Sequence, residues 1–250
     1  MSPEPIPPAA QHAEVFGRNN VVVQIQGDGN TVIPGVAHLE LTRHLRLRRS
    51  NSRQARGISG LLSPYTYSIP FVGREDVVAD LWRWMERDHR PVSVRVLVAP
   101  GGSGKTRLAL ELCDQATARG WDAGFVTDTE LKRFFDKENL SAWGWSRPTL
   151  IVLDYAASKA QLLGKWFSEL AGNPATSGAP LRLLLLERRA DPSLYWWGEA
   201  FGKGGRQALA VQPLLDPEDG PFVLPRLPAE YRRRVFEAIV QEIGVSGKPK

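Results

Sequence analysis

Cysteine is almost absent from this chain. The single thiol, Cys113, has no second cysteine to pair with, which fits a reducing cytoplasm. It falls on the apolar face of a helical pattern, the place of a small buried hydrophobe rather than of a reactive group. Long apolar runs are absent as well: none approaches the ~20 residues of a membrane span. The first ten residues are proline-rich and lack the basic-then-apolar order of a secretion signal. No internal repeat is present. Acidic residues are missing from one stretch, where Arg43, Arg46, Arg48, Arg49, Arg53 and Arg56 cluster. Such a cluster can bind nucleic acid or acidic lipid, but it holds no aromatic side chain to stack on bases, and a solvated linker is the plainer reading.

What is present is enough for one full core. The chain has 250 residues, 42% of them hydrophobic, and a formal net charge of +5; this suits one domain with a small appendage. Its centre is Ala99-Pro100-Gly101-Gly102-Ser103-Gly104-Lys105-Thr106. An apolar β-rich run, Val92–Val98, precedes it. A helical pattern with Leu108, Leu112 and Ala116 follows. Strand, glycine-rich turn, Lys-Thr and helix is the context that makes a phosphate-binding loop. A polyphosphate needs several backbone N–H groups converging on it, and small residues let the chain curl that closely. The helix N-terminus adds its dipole. Lys105 supplies a charge for the β and γ phosphates of ATP, and the Thr106 hydroxyl can hold Mg²⁺. Gly101, Gly102, Ser103, Gly104, Lys105, Thr106 and Arg107 form the candidate phosphate-binding set. Ala99 stands where the first glycine of the motif is usual, at the end of the strand, where a methyl group is tolerable.

Along the chain, residues 1–19 read as a disordered tail. Residues 20–35 read as a β-hairpin: Asn20–Gln26 and Thr31–Ile33 flank an Asp28-Gly29 turn. Residues 36–67 read as a basic linker, 68–215 as an α/β domain, and 216–250 as the start of a truncated helical lid. Within the domain, helices are expected around Leu81-Trp82-Met85, Leu131-Phe134-Phe135 and Leu162–Leu170. Strands are expected at Trp121–Val126, Pro148–Asp154 and Leu181–Leu186, with a further short strand near Ala208–Val211. A final amphipathic helix begins at about Pro228. Strands alternating with helices imply a parallel, helix-covered sheet.

Asp154 closes a buried strand downstream of the loop. A carboxylate there can hold Mg²⁺ in the manner of a Walker B acid; the alternative is a helix cap. Many P-loop ATPases place a second carboxylate directly after that acid to orient the attacking water. Here Tyr155 occupies the position, and tyrosine, with a pKa near 10, is a poor base at neutral pH. Glu187, at the end of the third apolar strand, is the nearest substitute, or else pairs with a neighbouring arginine. Arg188 and Arg189 follow it. Arg188 is the better placed to contact a γ-phosphate, and a surface ion pair is its other reading. No Asn/Thr-Lys-x-Asp segment for guanine is present, so adenine is expected.

These residues together resemble the nucleotide-binding domain of STAND-class P-loop NTPases, relatives of the AAA+ ATPases. Phe71-Val72-Gly73-Arg74-Glu75, Ala99–Thr106, Leu150–Tyr155 and Leu183–Arg189 carry the likeness, over about half of the chain. The resemblance implies a three-layer α/β sandwich with a parallel sheet in the order 5-1-4-3-2, Val72 and Gly73 near the adenine, and a nucleotide-controlled switch in signalling or defence. It also implies a protein partner or self-association. The expected cofactors are ATP and Mg²⁺; the catalytic candidates are Lys105, Asp154, Glu187 and Arg188, with Thr106 and Asp154 at the metal. Two alternatives stand beside the switch: an AAA+-like ATPase acting on nucleic acid through the basic segment, and a non-hydrolysing, nucleotide-stabilised interaction module.

Overall fold

The structure is a computed structural model that describes residues 39–42, 63–67, 69–137, 144–172, 179–218 and 220–246. The hairpin expected at 20–35 and the arginine cluster therefore lie outside the described residues. The elements run α1 (Glu75–Arg87), β1 (Val92–Val98), α2 (Lys105–Ala118), β2 (Asp122–Phe125), α3 (Asp128–Lys137), β3 (Thr149–Asp154), α4 (Ala160–Gly172), β4 (Leu181–Glu187), α5 (Tyr195–Phe201), α6 (Gly205–Val211), β5 (Phe222–Val223) and α7 (Ala229–Ser246).

The strands pair in parallel as β2-β3-β4-β1-β5, which is 5-1-4-3-2 read from the other edge. Strands β1, β3 and β4 are buried along nearly their whole length, as expected of central strands covered on both faces. Their alternate side chains feed two separate cores. On one face Leu97, Leu150, Val152, Leu184 and Leu186 pack with α1 and α2. On the other, Val94, Val96, Ile151, Leu153, Leu183 and Leu185 pack with α3, α4, α5 and α6. Cys113 is buried in the first of these.

The strand expected near Ala208–Val211 is instead the helix α6. Ala-Leu-Ala favours helix, and the burial does not alternate: Val211 is fully buried whereas Leu209 is 74% exposed. The fifth strand is Phe222–Val223, which pairs with Leu97 and Val98 of β1. A two-residue strand in a three-residue run between prolines gives no readable period.

The end of the sheet away from the loop is tied by arginines. Arg182, the second residue of β4, is 1% exposed. Its guanidinium donates to the carbonyls of Met85 (3.1 Å), Arg90 (3.0 Å), Leu181 (3.1 Å) and Asp88 (2.7 Å), so a side chain of the sheet closes the C-terminus of α1. Burial lowers its pKa to about 10, which leaves it charged at neutral pH. Beside it, Arg95 bonds Asp80 (2.8 Å) and Asp216. Replacing Arg182 by methionine keeps the volume but removes every donor, leaving buried carbonyls unpartnered. Arg182→Met is expected to cost about 3 kcal/mol of stability, read as a lower urea midpoint with an unchanged denaturation slope.

Candidate functional site

Chain direction builds the site. All strands are parallel, so the C-terminal ends of β1, β4 and β3 lie together, and the tips carry Ala99, Glu187 and Asp154. Register places Val98 opposite Glu187 and Leu186 opposite Asp154. Beyond β1 the loop turns on Gly102 (φ 76°) and Gly104 (φ 88°), where a Cβ would meet nothing within 4 Å. Glycine is required there for the left-handed backbone rather than for space. Ser103 shapes the turn, its N–H and its Oγ both donating to the Pro100 carbonyl (3.3 and 2.7 Å). Gly104 caps α2, whose first N–H groups have no carbonyl of their own helix to bond.

Lys105 Nζ donates to the carbonyls of Ala99 (2.6 Å) and Pro100 (3.2 Å), which folds the ammonium back under the loop. Burial lowers its pKa; Asp154 and Glu187 oppose that shift, and Arg188 adds to it. The four expected catalytic groups are thus within electrostatic reach of one another. Thr106 Oγ1 donates to Asp154 Oδ2 at 2.9 Å. The other oxygen, Oδ1, accepts the Tyr155 N–H (2.9 Å). Glu187 Oε2 accepts the Arg188 N–H (2.7 Å). The Arg188 guanidinium leans over the loop, 3.9 Å from where a Cβ on Gly101 would stand and 5.8 Å from the Tyr155 ring centre. The side chain of Arg189 is exposed, and its carbonyl accepts the Trp196 indole N–H (3.2 Å).

The structure places the remaining candidates unevenly. Gly73 (φ 68°) lies against the ring of Tyr231 on α7; a Cβ there would come within 2.3 Å of it. Val72, its neighbour, is half-buried. The Arg107 side chain turns away from the phosphate loop, to the Tyr67 ring (4.1 Å), the Phe71 ring (5.7 Å) and Glu111 (3.6 Å), so what it offers an anion is its backbone N–H.

Four further residues reach the site, of which only Arg74 lies in a sequence motif, the Phe71–Glu75 lead-in. Arg74 is buried and donates to the carbonyls of Ser103 (3.3 Å) and Pro225. Lys159 pins the end of β3 by bonding the Asp154 carbonyl (2.6 Å) and Asp128 (2.9 Å). Tyr65 lies within electrostatic range of Asp154 and Tyr155; burial first, then those two groups, raise its pKa. Tyr231 covers Gly73. No motif spacing marks the other three, because Tyr65 and Lys159 sit on single 3-10 turns and Tyr231 on the C-terminal helix.

The residues fit a nucleotide triphosphate with Mg²⁺. Thr106 and Asp154 offer a hydroxyl and a carboxylate oxygen already converged, which suits an ion that takes its other ligands from phosphate and water. Among the described residues no group of three or more His, Cys, Asp or Glu could hold a metal alone. Loop, Lys-Thr, opposed carboxylate and strand order agree. The chain has the fold of a P-loop NTPase.

No family model matches the sequence, and no curated protein is similar to it at a significant level. Among solved structures the chain is similar to AMPPCP-bound DnaA from Aquifex aeolicus (12% identity, TM-score 0.44, covering 76% of this chain and 57% of that one). It is also similar to the Orc1 protein of Aeropyrum pernix in complex with DNA (15%, 0.41, 73% and 53%). A third is a DNA polymerase III gamma subunit-related protein of Thermotoga maritima (12%, 0.38, 68% and 58%). These are AAA+ P-loop ATPases. The chain spans little more than half the length of each. No helix among the described residues is long and apolar enough to cross a membrane.

The contact between Gly73 and Tyr231 is open to direct test. Gly73→Ala puts a methyl group into the ring and forces a side chain into positive φ, at a cost of about 1 kcal/mol for the backbone alone. The variant is expected to loosen α7, seen as faster hydrogen exchange in Ala229–Ser246. Adding Tyr231→Ala should not speed exchange further, since the ring contact is already lost.

Proposed function

We propose that this chain is an ATP–Mg²⁺-binding NTPase of the AAA+ type, akin to the STAND class, and that it works in the cytoplasm as a nucleotide-controlled switch in signalling or defence. The sheet order supports the AAA+ part of this reading. The Val72-Gly73-Arg74-Glu75 lead-in supports the STAND part. The observation that carries nucleotide binding is the 2.9 Å bond between Thr106 and Asp154 at the foot of the loop. Two residues 48 apart in sequence, of the two types a metal-bound triphosphate needs, meet beside a helix N-terminus and a lysine.

Mg²⁺, held by Thr106 and Asp154, would supply neutralisation of the phosphate charge. The backbone N–H groups from Gly102 to Arg107 line the anion, and Lys105 exchanges its two carbonyl partners for phosphate oxygens. Asp154 and Thr106 hold the metal side. Arg188, above Gly101, reads the terminal phosphate. Hydrolysis is slow on this reading, because the residue after Asp154 is Tyr155, not a carboxylate. Glu187 is the available water-positioning group: β4 lies between β1 and β3, which puts its tip between the loop and Asp154. A switch needs an output, and a protein partner or a second copy of the chain supplies it.

Calorimetric titration with ATP, ADP and GTP, followed by turnover on the same sample, tests the reading. Lys105→Ala is expected to weaken ATP binding about 100-fold, close to 3 kcal/mol, as loss of a charge-assisted contact. Unchanged affinity would remove the proposal. Thr106→Ala should weaken binding with Mg²⁺ and leave binding in EDTA nearly as it was.

Turnover separates the switch from an outright ATPase. Glu187→Gln keeps the shape and removes the base, so ATP affinity should persist while residual hydrolysis falls at least tenfold. A wild-type rate of ~10 s⁻¹ that ignores Glu187→Gln would sink both the slow-switch reading and this role for Glu187.

A further inference from the structure

The outer edge of the sheet carries a feature that the nucleotide site does not use. Thr42 pairs antiparallel with Phe125, the last residue of β2, and Leu39–Leu41 lead into that pair. Thr42 N–H donates to the Phe125 carbonyl (2.8 Å), and Phe125 N–H donates back to the Thr42 carbonyl (3.0 Å). Glu40 N–H donates to Glu130 Oε1 (2.8 Å), 90 residues away in sequence. That carboxylate is itself held by Arg133 through two bonds of 2.7 and 2.6 Å. The side chains alternate as a strand requires: Leu39 and Leu41 are 0% exposed and join the core cluster that holds Val126, Leu131 and Phe134, while Glu40 faces solvent.

Gly124 makes room for this strand. A Cβ at Gly124 would stand 2.9 Å from the Thr42 carbonyl oxygen and 3.0 Å from Leu41 Cβ, too close for a real side chain. Backbone pairing, two apolar seats, a glycine clearance and an anchored carboxylate acceptor therefore converge on four residues. This is the chemistry by which a sheet edge takes up an extended segment, and it covers an edge that would otherwise invite pairing with other chains.

We infer that the β2 edge, with the first turn of α3, is a docking groove for an extended Leu-x-Leu-Thr strand. The chain fills it with its own Leu39–Thr42, and the groove retains that strand without the covalent connection through residues 43–62. Because the strand runs opposite to β2, Leu39 lies toward the sheet end that bears the phosphate loop.

The test uses the full chain with a sequence-specific protease site placed within residues 43–62. After cutting, the N-terminal fragment is expected to co-elute with the remainder at one to one, in a particle of one chain's mass. Leu41→Asp in the cut chain should release it, with retention at least about tenfold weaker. Gly124→Val should do the same while favouring the β conformation of β2, so release cannot be laid to an unfolded body. Far-UV circular dichroism of the cut variants checks that the body stays folded. Separate elution of the unmutated cut fragment would overturn the inference, as would co-elution confined to a two-chain particle or retention that survives both substitutions.

Discussion

The bond from Thr106 to Asp154 joins the first turn of α2, which follows β1, to the tip of β3, a strand that does not touch β1. Strand β4 lies between β1 and β3, so the bond exists only because both registers hold: Asp154 level with Leu186, and Leu186 level with Leu97. A slip of one residue in β4 would turn every side chain of that strand to the opposite face. Leu184 and Leu186 would leave the core they share with α1 and α2, and Glu187 would leave the gap between the loop and Asp154. The Thr106–Asp154 pair is thus held by hydrophobic packing several residues away from it. The two leucine-rich faces of β4 fix the spacing of three polar groups at its tip.

Charge is divided between the two ends of the sheet. At the end away from the loop, Arg182, Arg90 and Arg95 are saturated by carbonyls and by Asp88, Asp80 and Asp216. The Asp88 carboxyl shows the strength of that set: burial pushes its pKa up, yet bonds from Arg90 and Ser93 outweigh it and hold it at about 2. At the loop end the cations keep weaker company. Lys105 bonds neutral carbonyls, and Arg188 leans on a glycine and a tyrosine ring. Arg182 is 1% exposed and Arg90 and Arg95 are paired with carboxylates, whereas Lys105 bonds carbonyls of an exposed loop, which an anion can replace. The first arrangement holds the fold, and the second leaves positive charge free to meet an anion.

Much of this was legible in the sequence, for reasons that differ from part to part. The central strands announced themselves because burial on both faces leaves no alternation, only Leu150–Leu153 and Leu183–Leu186 as continuous apolar runs. The loop was legible because the backbone it needs admits few residues at Gly102 and Gly104. The fifth strand was misplaced: Phe222–Val223 is held by pairing with β1, and a two-residue strand has no period to read. Leu39-Glu40-Leu41-Thr42 alternates as a strand does, but four residues beside an arginine-rich stretch read as linker. Tyr231 was invisible as a site residue, because its position follows from packing of the C-terminal helix and not from local pattern.

That packing bears on how a nucleotide at the loop could be felt elsewhere. Arg74 gives one guanidinium nitrogen to the Ser103 carbonyl inside the loop and another to the Pro225 carbonyl just before α7. Gly73, next to it, carries the Tyr231 ring of α7. The lead-in segment is therefore clasped between the phosphate loop and the C-terminal helix, and it has little freedom to follow one without the other. α7 is otherwise lightly held: Phe236 is 64% exposed and Val240 50%. An element with few buried contacts opens at low free energy. A change in the loop backbone at Ser103 would have a route to the helix through Arg74 and Gly73, which is the geometry a switch reading requires.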